Sequence, residues 1–333
     1  MSLVVERPGL LTSLQDLGRF GRQHLGVPVN GVMDEVSHRV ANWLVGNEGD
    51  EASLELTING PTLQAQTDVV IAVCGADMSG RVDGQRLPQW RPVRIHAGAR
   101  IEFGRAALGA RAYLAVAAGF DIAATMDSRS TALRGGYGGV RGRALRKGDA
   151  LPLRSVEEAH TARWVRLLAR AQHGISYPNW SVTRVNAPGV EVPQTIRVVP
   201  GRHWQAFPVA AREQFAGAEY RVSPDSDRMG FRLDGPAIEA RKSGAVASEA
   251  VPMGAVQVPH GGQPIVLMAD RQTTGGYPVI AVVASADLTL MAQLGPRDRL
   301  RFELISLADS YRLLLARERE LTKIHEALLA RLA

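Results

Sequence analysis

The string Asp270-Arg-Gln-Thr-Thr-Gly-Gly-Tyr-Pro278 gathers neutral donors and acceptors at Gln272, Thr273, Thr274 and Tyr277 around Gly275 and Gly276. Glycine lets backbone N–H groups approach a ligand closely and take positive φ, while Tyr-Pro stiffens the exit. Such a cradle suits an amide, or an oxyanion forming from one. The same letters also describe a long hairpin loop with Gly-Gly at its tip, and spacing alone leaves both readings open.

Three other stretches carry side chains suited to chemistry. In Ser223-Pro-Asp-Ser-Asp-Arg-Met-Gly230, Asp225, Asp227 and Arg228 crowd a polar turn. A carboxylate beside an arginine stays ionised and can orient an amide N–H or accept a proton, although a turn satisfied by its own residues explains the same letters. Ser128-Arg-Ser-Thr131, with Arg129, precedes the glycine-rich run Arg134-Gly-Gly-Tyr-Gly-Gly-Val-Arg-Gly-Arg143. Three arginines without an acid suit a phosphate or carboxylate, or simply a solvated loop. Asp16, Arg19 and Asp34 sit at glycine turns near the first helix, with Asp34 well placed as a plain helix cap. Glu249 and Gln257 are polar groups that can reach the same pocket as Gln272.

Familiar catalytic signatures are absent from the 333 residues. The chain has no Gly-x-x-x-x-Gly-Lys-Ser/Thr loop, no complete Gly-x-Gly-x-x-Gly, no Gly-x-Ser-x-Gly elbow and no His-Glu-x-x-His. Its eight His form no metal-ligand pair, and Cys74 is the single cysteine, so neither a disulfide nor a Cys-based zinc site is expected. None of the three lysines follows a Met, so any biotin would sit on another chain or domain. Basic residues outnumber acids by 6 but are interleaved with them, which argues against a nucleic-acid partner. No apolar run is long enough to cross a membrane, and the chain reads as soluble and cytoplasmic.

The elements that must position these groups are mostly short apolar strands separated by Gly, Pro and Asp turns. Strands are expected over 69–73, 111–116, 195–199, 264–268, 279–283 and 300–304, a rhythm suited to barrels or sandwiches. Helices are expected over 34–45, ending at Gly46-Asn47, over 159–171 and over 307–332. The length suits two domains. Their boundaries read as an N-terminal β domain over 1–152, a helical linker over 153–194, a C-terminal β domain over 195–306 and a terminal helix over 307–333.

Taken in order, Gln15-Asp-Leu-Gly-Arg19, Gly26-Val-Pro28, Met33-Asp34, Ala41-Asn-Trp-Leu-Val-Gly-Asn47, Ser128-Arg-Ser-Thr131, Gly142-Arg-Ala-Leu145, the 223–230 turn and the 270–278 string resemble one family. It is known as allophanate hydrolase subunit 2, biotin-dependent carboxyltransferase, KipI antagonist and the C component of 5-oxoprolinase. The resemblance implies a mainly β chain of two cyclophilin-like barrel domains with a few helices. It implies two partners, the smaller KipI-type B component of 5-oxoprolinase and its lactam-utilisation-type A component. Together they would open 5-oxoproline to glutamate with ATP whose site is shared with the partners. Alternatives within the family are the carboxyltransferase part of a biotin-dependent urea or amide carboxylase, with biotin on another chain, and a non-catalytic antagonist of a KipI-type kinase inhibitor. By resemblance Gln272, Thr273, Thr274, Tyr277 and Asp227 are catalytic, and Arg228, Gly275, Gly276, Arg129, Asp34, Glu249 and Gln257 contact a small amide substrate. Where relatives tend to carry a more acidic turn, this chain has Gly201-Arg-His-Trp-Gln-Ala-Phe207, which implies a difference in substrate choice.

Overall fold

The computed structural model describes residues 1–155, 164, 168, 171–172, 175–184, 193–239 and 247–332. The chain divides into two compact units. One comprises Met1–Arg19, Asp34–Ala187 and Leu321–Ala333, the other Phe20–Met33 and Pro188–Glu320. Most of the linker expected over 153–194, and most of its helix over 159–171, lies outside the described residues.

The fold is mainly β. In the first unit, one sheet runs in the order Ala150–Pro152, Ser2–Arg7, Thr62–Ala65, Arg100–Glu102, Arg81–Val82 and Gln85–Arg86. A second runs Ala171–Gln172, Ile175–Ser176, Pro92–Ile95, Val69–Asp77, Leu108–Val116, Ser53–Thr57 and Leu11–Gln15. Their inward residues share one core that includes Leu3, Leu54, Ile71, Ile101, Phe103 and Leu114. The strand Val69–Asp77 is buried along nearly its whole length because the helix Glu35–Leu44 packs on it and on Leu108–Val116. That double cover explains why its sequence is a continuous apolar run rather than an alternation.

The helix Glu35–Leu44 begins where Asp34 accepts the Ser37 N–H at 3.0 Å and the Ser37 hydroxyl at 2.7 Å. It ends at Gly46, whose φ of +77° allows Gly46 N–H to reach Trp43 O and Asn47 N–H to reach Asn42 O. Both last-turn carbonyls are thereby satisfied. The long helix Leu307–Leu332 starts with Ser306, whose hydroxyl accepts the Asp309 N–H at 3.0 Å and donates to its carboxylate. Its last turns bury Leu321, Leu328 and Leu332, and His325 stacks on Trp43 with ring centroids 4.6 Å apart.

In the second unit, seven strands close a barrel: Gln194–Pro200, Val279–Val283, Ala255–Gln257, Ile265–Leu267, Gly230–Asp234, Glu219–Val222 and Arg299–Leu304. The last pairs in parallel with the first, from Gln194↔Leu300 to Val198↔Leu304, and the other pairings are antiparallel. Closure leaves no open edge within this ring. Phe215, Tyr220, Phe231 and Phe302 fill the core, with Phe215 stacked on Phe302 at 4.7 Å. Met33 is buried in this same core, although it lies far up the chain from the barrel strands. All six strands expected from the sequence coincide with observed ones.

His38 is the buried titratable group of the first helix, with Nδ1 2.8 Å from the Ser53 hydroxyl. Burial lowers its pKa to about 4 against the opposing fields of Asp16 and Glu55. The unfolded chain therefore binds a proton near 6.5 that the folded chain refuses, so stability is full above that pH and falls as pH drops toward 4. The expected loss is on the order of 3 kcal/mol. In urea titrations across this range, His38→Gln should flatten the pH dependence; an unchanged slope would assign it to other groups.

Candidate functional site

In the first unit the expected site residues are occupied with holding the chain. The Asp16 carboxylate accepts from Gly18 N–H at 2.9 Å, the Ser128 hydroxyl at 2.7 Å, Arg129 N–H and the Ser130 hydroxyl. Arg19 is buried, donates to the carbonyls of Thr125 and Ser130, and lies over the Tyr137 ring. Arg129 donates from Nε to Ile122 O at 2.9 Å, and Asp34 caps its helix. The glycine-rich run turns its amides inward, Gly136 to Ala132 O, Gly139 to Arg129 O and Gly142 to Gly138 O. Glycine is required there by packing: a Cβ on Gly142 would fall 2.1 Å from Gly136. Arg143 makes a bidentate pair with Asp149.

In the second unit the ladder between Gly230–Asp234 and Ile265–Leu267 continues past both strands. Met268 N–H donates to Met229 O and Asp270 N–H to Arg228 O, which makes Arg228 and Asp270 cross-strand neighbours. Arg228 is 3% exposed and Asp270 7%. The guanidinium grips the carboxylate at two points, Nε to Oδ2 at 3.0 Å and Nη2 to Oδ1 at 3.1 Å, and Nη2 also donates to Gly31 O at 2.5 Å. The Asn30 amide donates to Asp270 Oδ1 at 2.8 Å. Asn30 and Gly31 both have positive φ, a sharp reversal that points the Asn30 side chain and the Gly31 carbonyl at the pair. A carboxylate oxygen offers about two acceptor sites. Oδ1 uses both and Oδ2 one, leaving Oδ2 able to take one further donor.

Asp227, expected among the catalytic groups, is exposed, and its Oδ1 accepts the N–H groups of Met229 at 2.8 Å and Gly230 at 3.3 Å. It shapes the turn, and the carboxylate that Arg228 holds is Asp270. The 270–278 string is neither a free loop nor a bare hairpin tip. Thr274–Gly275 forms a short strand paired with Glu249–Ala250, and Val251 N–H donates to Thr273 O at 3.2 Å. Neither Gly275 nor Gly276 adopts the positive φ expected for it. At Gly275 the constraint is space, since a Cβ would lie 2.5 Å from Gln257 Nε2 and 3.4 Å from Gln272 Nε2. Both carboxamides thus converge on one glycine.

Around this hairpin, Gln257 is buried with Nε2 3.5 Å from Tyr277 O, Gln272 and Thr273 are half-buried, and Thr274 and Gly276 are exposed. Tyr277 is 43% exposed and lies edge-on to His260. Glu249 pairs through Oε2 with Arg202 Nη1 at 2.9 Å. Its Oε1 is buried with no hydrogen-bond partner among the described residues, 3.8 Å from His203 Nε2. His203 Nδ1 accepts the Val279 N–H at 3.1 Å, so the neutral ring carries its proton on Nε2, facing that carboxylate. Arg202 and His203 come from the 201–207 turn singled out in the sequence. Asp270 heads the 270–278 string without a role of its own there, and the one signal for Asn30 is that Asn30-Gly31 stands in a short polar break between apolar runs.

The chain matches the model for "Carboxyltransferase domain, subdomain A and B" over residues 25–304. It is 36% identical over 310 residues to the C component of 5-oxoprolinase from Escherichia coli K12, covering 92% of this chain and 93% of that one. It is 32% identical over 314 residues to urea amidolyase of Lachancea kluyveri, covering 91% of this chain and 17% of the other. The crystal structure of Kluyveromyces lactis urea carboxylase superposes with a TM-score of 0.85 at 30% identity, over 97% of this chain and 29% of that one. Against this solved structure the chain spans under a third of the length.

Removing one member of the buried pair leaves the other as an unmatched charge. Arg228→Leu is expected to lower stability by about 3–5 kcal/mol in denaturant titrations. The double replacement of Arg228 and Asp270 by apolar residues should recover most of that loss. A single variant as stable as the parent would show that the pair does not hold the second unit together.

Proposed function

The chain belongs to the carboxyltransferase-domain family with subdomains A and B, and from that premise we propose that it serves as one component of an ATP-dependent 5-oxoprolinase that opens 5-oxo-L-proline to L-glutamate. The observation carrying this reading is the match along nearly the whole length of both chains with the C component of a 5-oxoprolinase. The hairpin supports it, because Gln257 and Gln272 bring two neutral carboxamides against Gly275. A carboxamide can donate to a lactam oxygen and accept from a lactam N–H without placing a competing charge at the reacting bond.

In this reading Gln272 and Tyr277 hold the lactam carbonyl, where negative charge develops, and the remaining acceptor site on Asp270 Oδ2 takes the substrate N–H. Thr273, Thr274 and Gly276 line the approach. Arg228 and Asn30 hold the Asp270 carboxylate in its orientation. ATP, when bound by the assembly, supplies the driving force for ring opening. In the glycine-rich run of the first unit the amides of Gly136, Gly139 and Gly142 and the Arg143 guanidinium are already engaged within the chain, which disfavours it as a phosphate cradle. ATP then binds chiefly on the partners, the KipI-type B component and the lactam-utilisation-type A component.

The second reading, the carboxyltransferase component of a biotin-dependent urea or amide carboxylase, draws on the likeness to urea carboxylase. It needs the same neutral grip on a planar amide, with biotin carried elsewhere. Co-purification with the two partners, followed by measurement of ATP hydrolysis stimulated by 5-oxoproline, separates the readings. Stimulation is expected, and Gln272→Ala and Tyr277→Phe should each lower it about 10- to 1000-fold. A verified complex indifferent to 5-oxoproline would sink the hydrolase reading.

A further inference from the structure

Arg271 follows the paired Asp270 directly but shares none of its partners. It is 9% exposed, and its Nε donates to the Val251 carbonyl at 3.1 Å. Among the described residues no carboxylate lies within ion-pairing distance of it, and its two terminal nitrogens have no hydrogen-bond acceptor. Asp270 pairs with Arg228, and Glu249 pairs with Arg202 through Oε2. Among the described residues this largely buried guanidinium is held by a single neutral bond through Nε, which leaves its terminal nitrogens open to a further acceptor. Burial alone pushes its pKa below the ordinary arginine value, with no neighbouring charge opposing the shift.

The Nε–Val251 bond fixes the plane of the guanidinium beside the hairpin of 249–251 and 273–275, the element that bears Gln272 and receives Gln257. A planar guanidinium with two unused N–H groups is shaped to take a carboxylate bidentately. We infer that Arg271 is a carboxylate subsite of this amide-binding hairpin, the group that holds the acidic end of the substrate. The inference rests on the proposed amide site, and it extends that site's chemistry from a neutral lactam grip to recognition of a second, charged end. Two sources offer such a group: a lactam acid, or an amide carrying a carboxylate on its nitrogen.

Two matched ligand pairs test this by calorimetric titration of the full chain without ATP. They are 5-oxo-L-proline against 2-pyrrolidinone, and malonamate, the methylene isostere of an N-carboxyurea, against malonamide. In the parent protein at least one acid should bind more tightly than its neutral partner. Arg271→Gln should weaken that acid about 10- to 100-fold, the range for losing a charged hydrogen bond, while moving the neutral amide by less than about threefold. Arg271→Lys, which keeps the charge but loses the fork, should recover part of the affinity. If the Gln variant does not fold, the Lys variant decides, with a weaker acid and an unaltered amide expected. Equal losses for acid and amide, no loss for the acid, or no acid binding at all would overturn the subsite. Malonamate responding in place of 5-oxoproline would leave the subsite standing and count against the hydrolase reading alone.

Discussion

The second unit is tied together by a buried charge pair. Arg228 and Asp270 lie 42 residues apart in the chain, and their union at 3.0 Å inside the protein is tolerable because hydrogen bonds from the surrounding chain offset the loss of water. The carboxylate takes two bonds from the guanidinium and one from Asn30, and the guanidinium spends a further donor on the Gly31 carbonyl. This joins the barrel's strand extension to residues 30–31, which reach the barrel from far earlier in the chain. It also sets the point at which the 270–277 hairpin leaves the barrel, so the placement of Gln272 and Gly275 follows from it.

Much of the architecture was legible because local chemistry and global packing agree. The helix Glu35–Leu44 is bounded by an aspartate that caps and a glycine that reverses the chain, and both roles are visible in the letters. The barrel strands announce themselves as short apolar runs. The site was less legible, and the case of Asp227 shows why. It is a neighbour of Arg228 in sequence, so proximity along the chain favoured it, whereas strand register brings Asp270 to the guanidinium. Register is set by turns and by which face is buried, and no short string records it. Asn30 escaped notice for a related reason: Asn-Gly between valines reads as an ordinary turn, and only the fold gives its amide a carboxylate to meet.

The polar motifs of the first unit also do structural duty. Asp16, Arg19 and Asp34 stand among the most recognisable strings of the sequence, yet each satisfies backbone or hydroxyl groups within the same unit. Tyr113 is similar. Its hydroxyl accepts the Asp34 N–H and donates to Glu55, and burial near these carboxylates raises its pKa well above the usual phenol range. Such groups are constrained because a buried polar atom without its partner destabilises the fold, which marks a position as strongly as catalysis does.

Chain order gives the exchanged segments a consequence for biosynthesis. Residues 20–33 belong with the second unit, and residues 321–333 belong with the first. A ribosome releases Met33 long before the strands that bury it exist, and it releases Leu328 and Leu332 only after the whole second unit, although the first unit's other strands have been waiting since early in synthesis. The first unit therefore cannot finish before the second has been made, and the usual vectorial order of one domain after another is closed to this chain. A nascent polypeptide of this design keeps its first unit incomplete until residues 321–332 emerge, which makes their docking the step that completes that unit.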